Sequence, residues 1–228
     1  MARTGTTAAA MMAAAIGAAA LAPAGAAAQV VDGGYVGGAL GILSGDGDAR
    51  VRFPAGQGRL VGDKTVDYSG WDLGAYGGYR LMTPQGFMLG FELGGSLAWA
   101  DGGARADIGS RRVRQSLDKN GEVYVAFKGG VPVTDQALLY GIAGLQSGWF
   151  DAELRDRTTG RKIGERDTNV GGWQLGLGGE YFLVNNLSAR LEWKYQSFNE
   201  LSFSNAGGGR TKVDPSENVF RMGVSYNF

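Results

Sequence analysis

The sequence predicts an all-β protein, an eight-stranded antiparallel up-and-down barrel whose strands cross a membrane. Three observations carry this reading. Apolar and polar residues alternate with a period of two in segment after segment. The connections alternate between short and long, as in a barrel with tight turns on one side and extended loops on the other. The apolar face of the clean strands carries no charge, while the opposite face holds single charges among Gly, Ala and Ser.

In chain order the predicted strands are residues 35–43, 71–80, 87–99, 123–131, 139–149, 173–182, 187–197 and 218–228. Most run about nine to eleven residues, the length a tilted strand needs to cross a bilayer core. In the third, Phe87, Leu89, Phe91, Leu93, Leu97 and Trp99 oppose a face that carries Glu92. In the sixth, Trp173, Leu175, Leu177 and Tyr181 oppose Gln174 and Glu180, and in the seventh Leu187, Leu191, Trp193 and Tyr195 oppose Arg190, Glu192 and Lys194. Asp72 and Arg80 in the second, Lys128 in the fourth and Arg221 in the eighth also sit opposite the apolar set. The phase of the first and fifth strands is open, because Tyr35, Leu138, Tyr140 and Ile142 do not fall cleanly on one face. Connections 81–86, 132–138 and 183–186 are short; 44–70, 100–122, 150–172 and 198–217 are long.

A soluble ligand-binding barrel has the same alternation turned inside out. Two features favour the lipid-facing version. The small polar face suits a crowded lumen better than a water-exposed surface. Aromatics also mark both ends of the apolar face: Trp71, Trp99, Trp149 and Trp173 beside long loops, and Tyr79, Phe87, Tyr181 and Phe228 near short turns or the terminus. Such a pair of girdles is expected where amphipathic rings meet lipid headgroups.

Residues 1–28 predict a cleaved signal peptide, with Arg3, an apolar run from Ala8 through Leu21, Pro23 and the small-residue end Ala26, Ala27 and Ala28. The run is too short and alanine-rich for a membrane anchor. Residues 29–228 are then one barrel domain, long enough for a single all-β unit.

Composition excludes several functions. Lys and Arg number 22 against 22 Asp and Glu, with no basic stripe, so a nucleic-acid partner is not expected. There is no Cys, hence no disulfide framework and no thiolate metal site. Asp46-Gly47-Asp48 lacks the spaced carboxylates and closing Glu of a calcium loop. No metal or other cofactor is expected.

The stretches Tyr35-Val36-Gly37-Gly38-Ala39-Leu40-Gly41, Gly77-Gly78-Tyr79-Arg80, Leu191-Glu192-Trp193-Lys194-Tyr195 and Gly223-Val224-Ser225-Tyr226-Asn227-Phe228 resemble the small outer-membrane β-barrel family of Gram-negative bacteria, often labelled the porin family. The resemblance implies an outer-membrane location, short periplasmic turns and four long extracellular loops. It implies contact with outer-membrane lipid, and chaperone-assisted passage through the periplasm. By the same resemblance, Phe228, Tyr226 and Val224 look like the signal read by the barrel-assembly machinery. A monomer is expected. Barrel enzymes of this membrane resemble one another in needing a histidine, and this chain has none; an enzyme is not expected.

Eight strands leave a bore only wide enough for side chains. The predicted lumen set of Asp72, Arg80, Glu92, Lys128, Glu180, Arg190, Glu192, Lys194 and Arg221 holds five positive and four negative groups, which should pair. Two functions stay open: a structural or surface-interaction barrel with a polar plug, and a narrow channel for ions or small solutes with Lys128 or Arg190 as selectivity element. Among the loops, the segment after the third strand has a basic excess. Arg105, Arg111, Arg112 and Arg114 there are candidate contacts for the phosphates of lipopolysaccharide.

Overall fold

The computed structural model describes residues 32–52, 63–108, 111–156, 162–184, 186–204 and 210–228. The segment read as a signal peptide lies outside them. The described strands are β1 (Gly33–Arg52), β2 (Asp63–Met82), β3 (Met88–Ile108), β4 (Arg111–Thr134), β5 (Ala137–Asp156), β6 (Lys162–Val184), β7 (Leu187–Phe198), β8 (Leu201–Ser204) and β9 (Arg210–Asn227). Strands β1 to β7 pair antiparallel in chain order, β7 pairs with β9, and β9 pairs with β1, which closes the sheet. The four-residue β8 lies beyond the end of β7 and pairs with the far end of β9, so the two share one place in the wall. The barrel is therefore eight-stranded.

The strands are longer than the alternation predicts. β1 to β6 run 20 to 24 residues rather than about ten. The β1–β2 ladder continues through Leu43↔Gly70 to Arg50↔Asp63, and the β3–β4 ladder through Ala100↔Lys119 to Ile108↔Arg111. Most of the segments predicted as loops are therefore hairpin. Backbone groups still need partners above the apolar band, and an antiparallel neighbour already in register supplies them. At the other end the turns are tight. In the β2–β3 turn, Gly86 has φ 83°, a left-handed conformation that favours glycine. Its N–H donates to Thr83 O at 2.9 Å, and Thr83 N–H donates to Phe87 O at 2.7 Å.

The two faces separate sharply. Leu97, Phe127, Leu145 and Leu177 point outward, each more than 60% exposed, while Glu92, Gln174 and Gln196 point into the bore and are fully buried. Strands β1 and β5 take a definite phase. Tyr35 and Leu43 face inward against outward Val36 and Leu40, and Leu138, Tyr140 and Ile142 face inward against outward Leu139 and Leu145. Inward tyrosines are accommodated by glycines directly across the ladder: Tyr35 opposite Gly78, Tyr68 opposite Gly45, Tyr76 opposite Gly37, Tyr124 opposite Gly94 and Tyr140 opposite Gly178. At each of these glycines a Cβ would run into its partner's ring. Much of the high glycine content thus makes room for rings lying against the inner wall.

Candidate functional site

The bore is filled by charge. Six cations (Arg80, Lys119, Lys128, Arg190, Lys194, Arg221) and six carboxylates (Asp72, Glu92, Glu122, Glu180, Glu192, Glu217) line it, none more than 5% exposed. Inward parity along the strands of the closed wall puts them there. A buried ion left alone costs several kcal/mol, so the groups are held by one another.

They form three tiers. At the short-turn end Arg80 clasps Glu180 with two hydrogen bonds of 3.1 Å and donates to Asn227 Oδ1 at 2.7 Å, while Ser188 hydroxyl donates to Glu180. In the middle, Glu92 accepts from Lys128 Nζ at 2.6 Å, Arg190 at 2.6 Å, Tyr124 hydroxyl at 2.9 Å and Tyr35 hydroxyl at 3.0 Å. Glu192 accepts from Lys128 at 2.7 Å and from Tyr140 hydroxyl at 2.8 Å, with Lys194 Nζ 3.0 Å away. The Arg190 guanidinium also lies 3.1 Å above the centre of the Tyr76 ring. At the long-hairpin end Arg221 joins Asp72, Glu122 at 2.7 Å and Ser96 at 3.0 Å; Lys119 joins Glu122 at 2.7 Å and Glu217, which also accepts from Tyr68 at 3.0 Å.

Apolar side chains pack among the charges in two clusters. Leu43, Tyr68, Phe150, Val170, Phe198 and Val219 cluster inside the long-hairpin end, with Phe150 and Phe198 edge to face at 5.0 Å. Met88, Leu138, Ile142 and Phe182, with the Tyr124 and Tyr140 rings, cluster inside the short-turn end.

All nine residues predicted for the lumen are buried in this network. Lys119, Glu122 and Glu217 belong to it as well but fall in segments predicted as loops. Glu217 keeps the parity of Val219 and Arg221, and Glu122 that of Tyr124 and Lys128, so extending the alternation would have reached both. The position of Lys119 does not follow from the alternation. A bulge between Lys119 and Gly121 reverses the parity of β4 and turns Lys119 inward.

On the outside, Trp71, Trp99, Trp149 and Trp173 are all more than 40% exposed, and Trp71 stacks on its cross-strand partner Trp99 at 4.3 Å. Tyr79 and Phe87 are exposed near the short turns, and Tyr181 is half-buried with its hydroxyl donating to Gln136 at 2.8 Å. Val224, Tyr226 and Phe228 point outward, and Phe228 N–H donates to Gly34 O at 2.9 Å. Arg105, Arg111, Arg112 and Arg114 lie on the backbone of the β3–β4 hairpin, and their side chains are outside those described.

A closed antiparallel barrel, apolar outside and charged within, defines an integral membrane barrel. The chain belongs to the family described as outer membrane protein beta-barrel domain, which residues 6–228 match. Outer membrane protein A of Klebsiella pneumoniae is 29% identical over 155 residues, covering 68% of this chain and 40% of that protein. The chain thus spans about two fifths of that relative's length. The 31 kDa outer-membrane immunogenic protein of Brucella melitensis is 23% identical over 204 residues, covering 85% of this chain and 84% of that one. Among solved structures, the outer membrane protein OprG from Pseudomonas aeruginosa is similar in fold, with a TM-score of 0.60 at 19% identity over 89% of this chain and 98% of that one. The protein resides in the outer membrane.

Proposed function

We propose that this barrel is a non-conducting, non-catalytic structural protein of the outer membrane that works through its outer surface. One observation carries the reading: the charges of the bore are buried and paired across it, with apolar side chains packed among them. A conducting path needs ion sites that bind weakly enough to release, whereas carboxylates such as Glu92 are already saturated by protein donors. A histidine-free sequence lacks the usual general base for acyl or peptide hydrolysis.

In this reading the four Trp residues anchor the outer lipid boundary and Tyr79, Phe87 and Tyr181 the inner one. Val224, Tyr226 and Phe228 serve recognition by the assembly machinery after chaperone delivery through the periplasm, residues 1–28 are removed on export, and the barrel stays a monomer. The β3–β4 hairpin, through Arg105, Arg111, Arg112 and Arg114, meets the phosphates of lipopolysaccharide. Potassium release from vesicles carrying the inserted protein tests the closed bore. Release no faster than from protein-free vesicles is expected; release scaling with inserted protein would make it a narrow channel.

A further inference from the structure

The ion pairs leave one region of the bore incompletely satisfied. The middle tier holds three cations, Lys128, Arg190 and Lys194, against two carboxylates, Glu92 and Glu192. Glu192 is shared by all three cations. Lys194 is the least served. Its side chain is 1% exposed and its Nζ is ion-paired with Glu192 Oε2 at 3.0 Å in a geometry that makes no hydrogen bond, and among the described residues both that ammonium and that carboxylate oxygen are without a hydrogen-bond partner.

Two neighbouring amides are in the same condition. Gln174 Nε2 and both side-chain polar atoms of Gln146 are buried without partners among the described residues, while Gln174 Oε1 accepts from Gln196 at 3.3 Å. The three residues descend diagonally across adjacent strands. Gln146 on β5 pairs with Gly172, two residues from Gln174 on β6, and Lys194 on β7 pairs with Gly176, two residues the other way. Diagonal neighbours of this kind are within reach of long side chains. The Lys194 ammonium also sits 4.5 Å from the centre of the Tyr124 ring, and Tyr124 is the direct cross-strand partner of Gln146. Ammonium and amides therefore ring one part of the bore.

We propose that Lys194, Gln174 and Gln146 form an internal binding site for a small monovalent anion of halide size. Three groups there can donate: the ammonium, the committed N–H2 of Gln174, and the Gln146 amide, which is free to turn its N–H2 inward. A single negative charge offsets the cation excess of the middle tier locally, the surplus carboxylate that balances it over the whole bore lying in the long-hairpin tier. An ammonium in so little water gains most from a full opposite charge. Burial of all three residues makes the site slow to exchange, so the anion enters as the barrel folds.

The test uses protein purified from the outer membrane of an expressing host, unfolded, and refolded in either sodium chloride or sodium bromide. Crystals from the bromide preparation should show one anomalous bromine peak inside the bore, within contact of Lys194 and Gln174. The unfolding midpoint of the wild-type barrel should rise with each tenfold increase in halide during refolding. Lys194→Met and Gln174→Leu should lose both the peak and the halide dependence while still showing the heat-modifiable gel migration of a folded barrel. Gly129→Ala, on the outer face with nothing within 4 Å of the added methyl, should keep both. A folded wild-type barrel with no bromine peak in the bore overturns the proposal. So does a halide dependence that is the same in wild type and both variants.

Discussion

Tyr124 lies flat across Gly94, its direct partner on the neighbouring strand, so that a Cβ on Gly94 would sit 2.5 Å from the Tyr124 hydroxyl. That hydroxyl donates to Glu92 at 2.9 Å, which ties the packing of a glycine to the charge network of the bore. Gly94→Ala should displace the ring, weaken this hydrogen bond and cost about 1–3 kcal/mol, the usual range for overpacking. Urea unfolding of the barrel in lipid vesicles measures it. Gly129→Ala, where an added methyl meets nothing, should change stability by less than about 0.5 kcal/mol.

Glu92 joins both middle-tier cations that reach it, Lys128 and Arg190, to two tyrosines. Glu92→Gln should cost about 3–5 kcal/mol, because it leaves buried cations without their counter-charge. Adding Lys128→Met should recover part of that loss, since it removes one stranded cation. In the same unfolding assay, a double variant as unstable as the sum of its singles would mean that the two residues do not act as a pair.

The outer face sets a depth-dependent cost. Leu177 lies on β6 midway between Trp173 and Tyr181, 63% exposed. Leu177→Arg should destabilise insertion by about 2–4 kcal/mol, and Val184→Arg beside the short turn by about 0–1 kcal/mol. Equal costs at the two positions would show that Leu177 does not face hydrocarbon.

Replacing Arg105, Arg111, Arg112 and Arg114 together by Gln should weaken retention on lipopolysaccharide-coated beads several-fold at low ionic strength. The difference should shrink as salt rises, because exposed charges are screened beyond about 10 Å at 0.1 M. Binding that ignores both the substitutions and the salt would remove this hairpin from the contact.

Where lipid and lumen impose opposite chemistries on alternate residues, the fold was legible in the sequence. Strands such as 187–197 announce both faces, so Arg190, Glu192 and Lys194 could be assigned to the interior from parity alone. Outside the predicted strands the alternation fades in the sequence, although backbone pairing continues. The distal halves of β1 to β6 therefore read as loops, and so do the positions of Glu122 and Glu217, although both keep the inward parity and are buried. The inward tyrosines were ambiguous because a large ring fits a narrow bore only when a glycine lies opposite, as Gly78 does for Tyr35 and Gly178 for Tyr140. That is a property of register, which one strand's sequence does not contain. The bulge that turns Lys119 inward is likewise a feature of pairing. The ion pairs themselves join residues as far apart in sequence as Asp72 and Arg221.

Single-channel recording in a planar bilayer tests the sealed bore most directly, after insertion has been verified by heat-modifiable migration. The account predicts a silent membrane at every applied voltage, with wild type and Phe150→Ala, which thins only one apolar cluster and leaves the ion pairs in place, equally silent. Stable stepwise conductance from the wild-type barrel, altered in size or selectivity by Lys128→Ala, would contradict it and make the paired charges a gate in a conducting path.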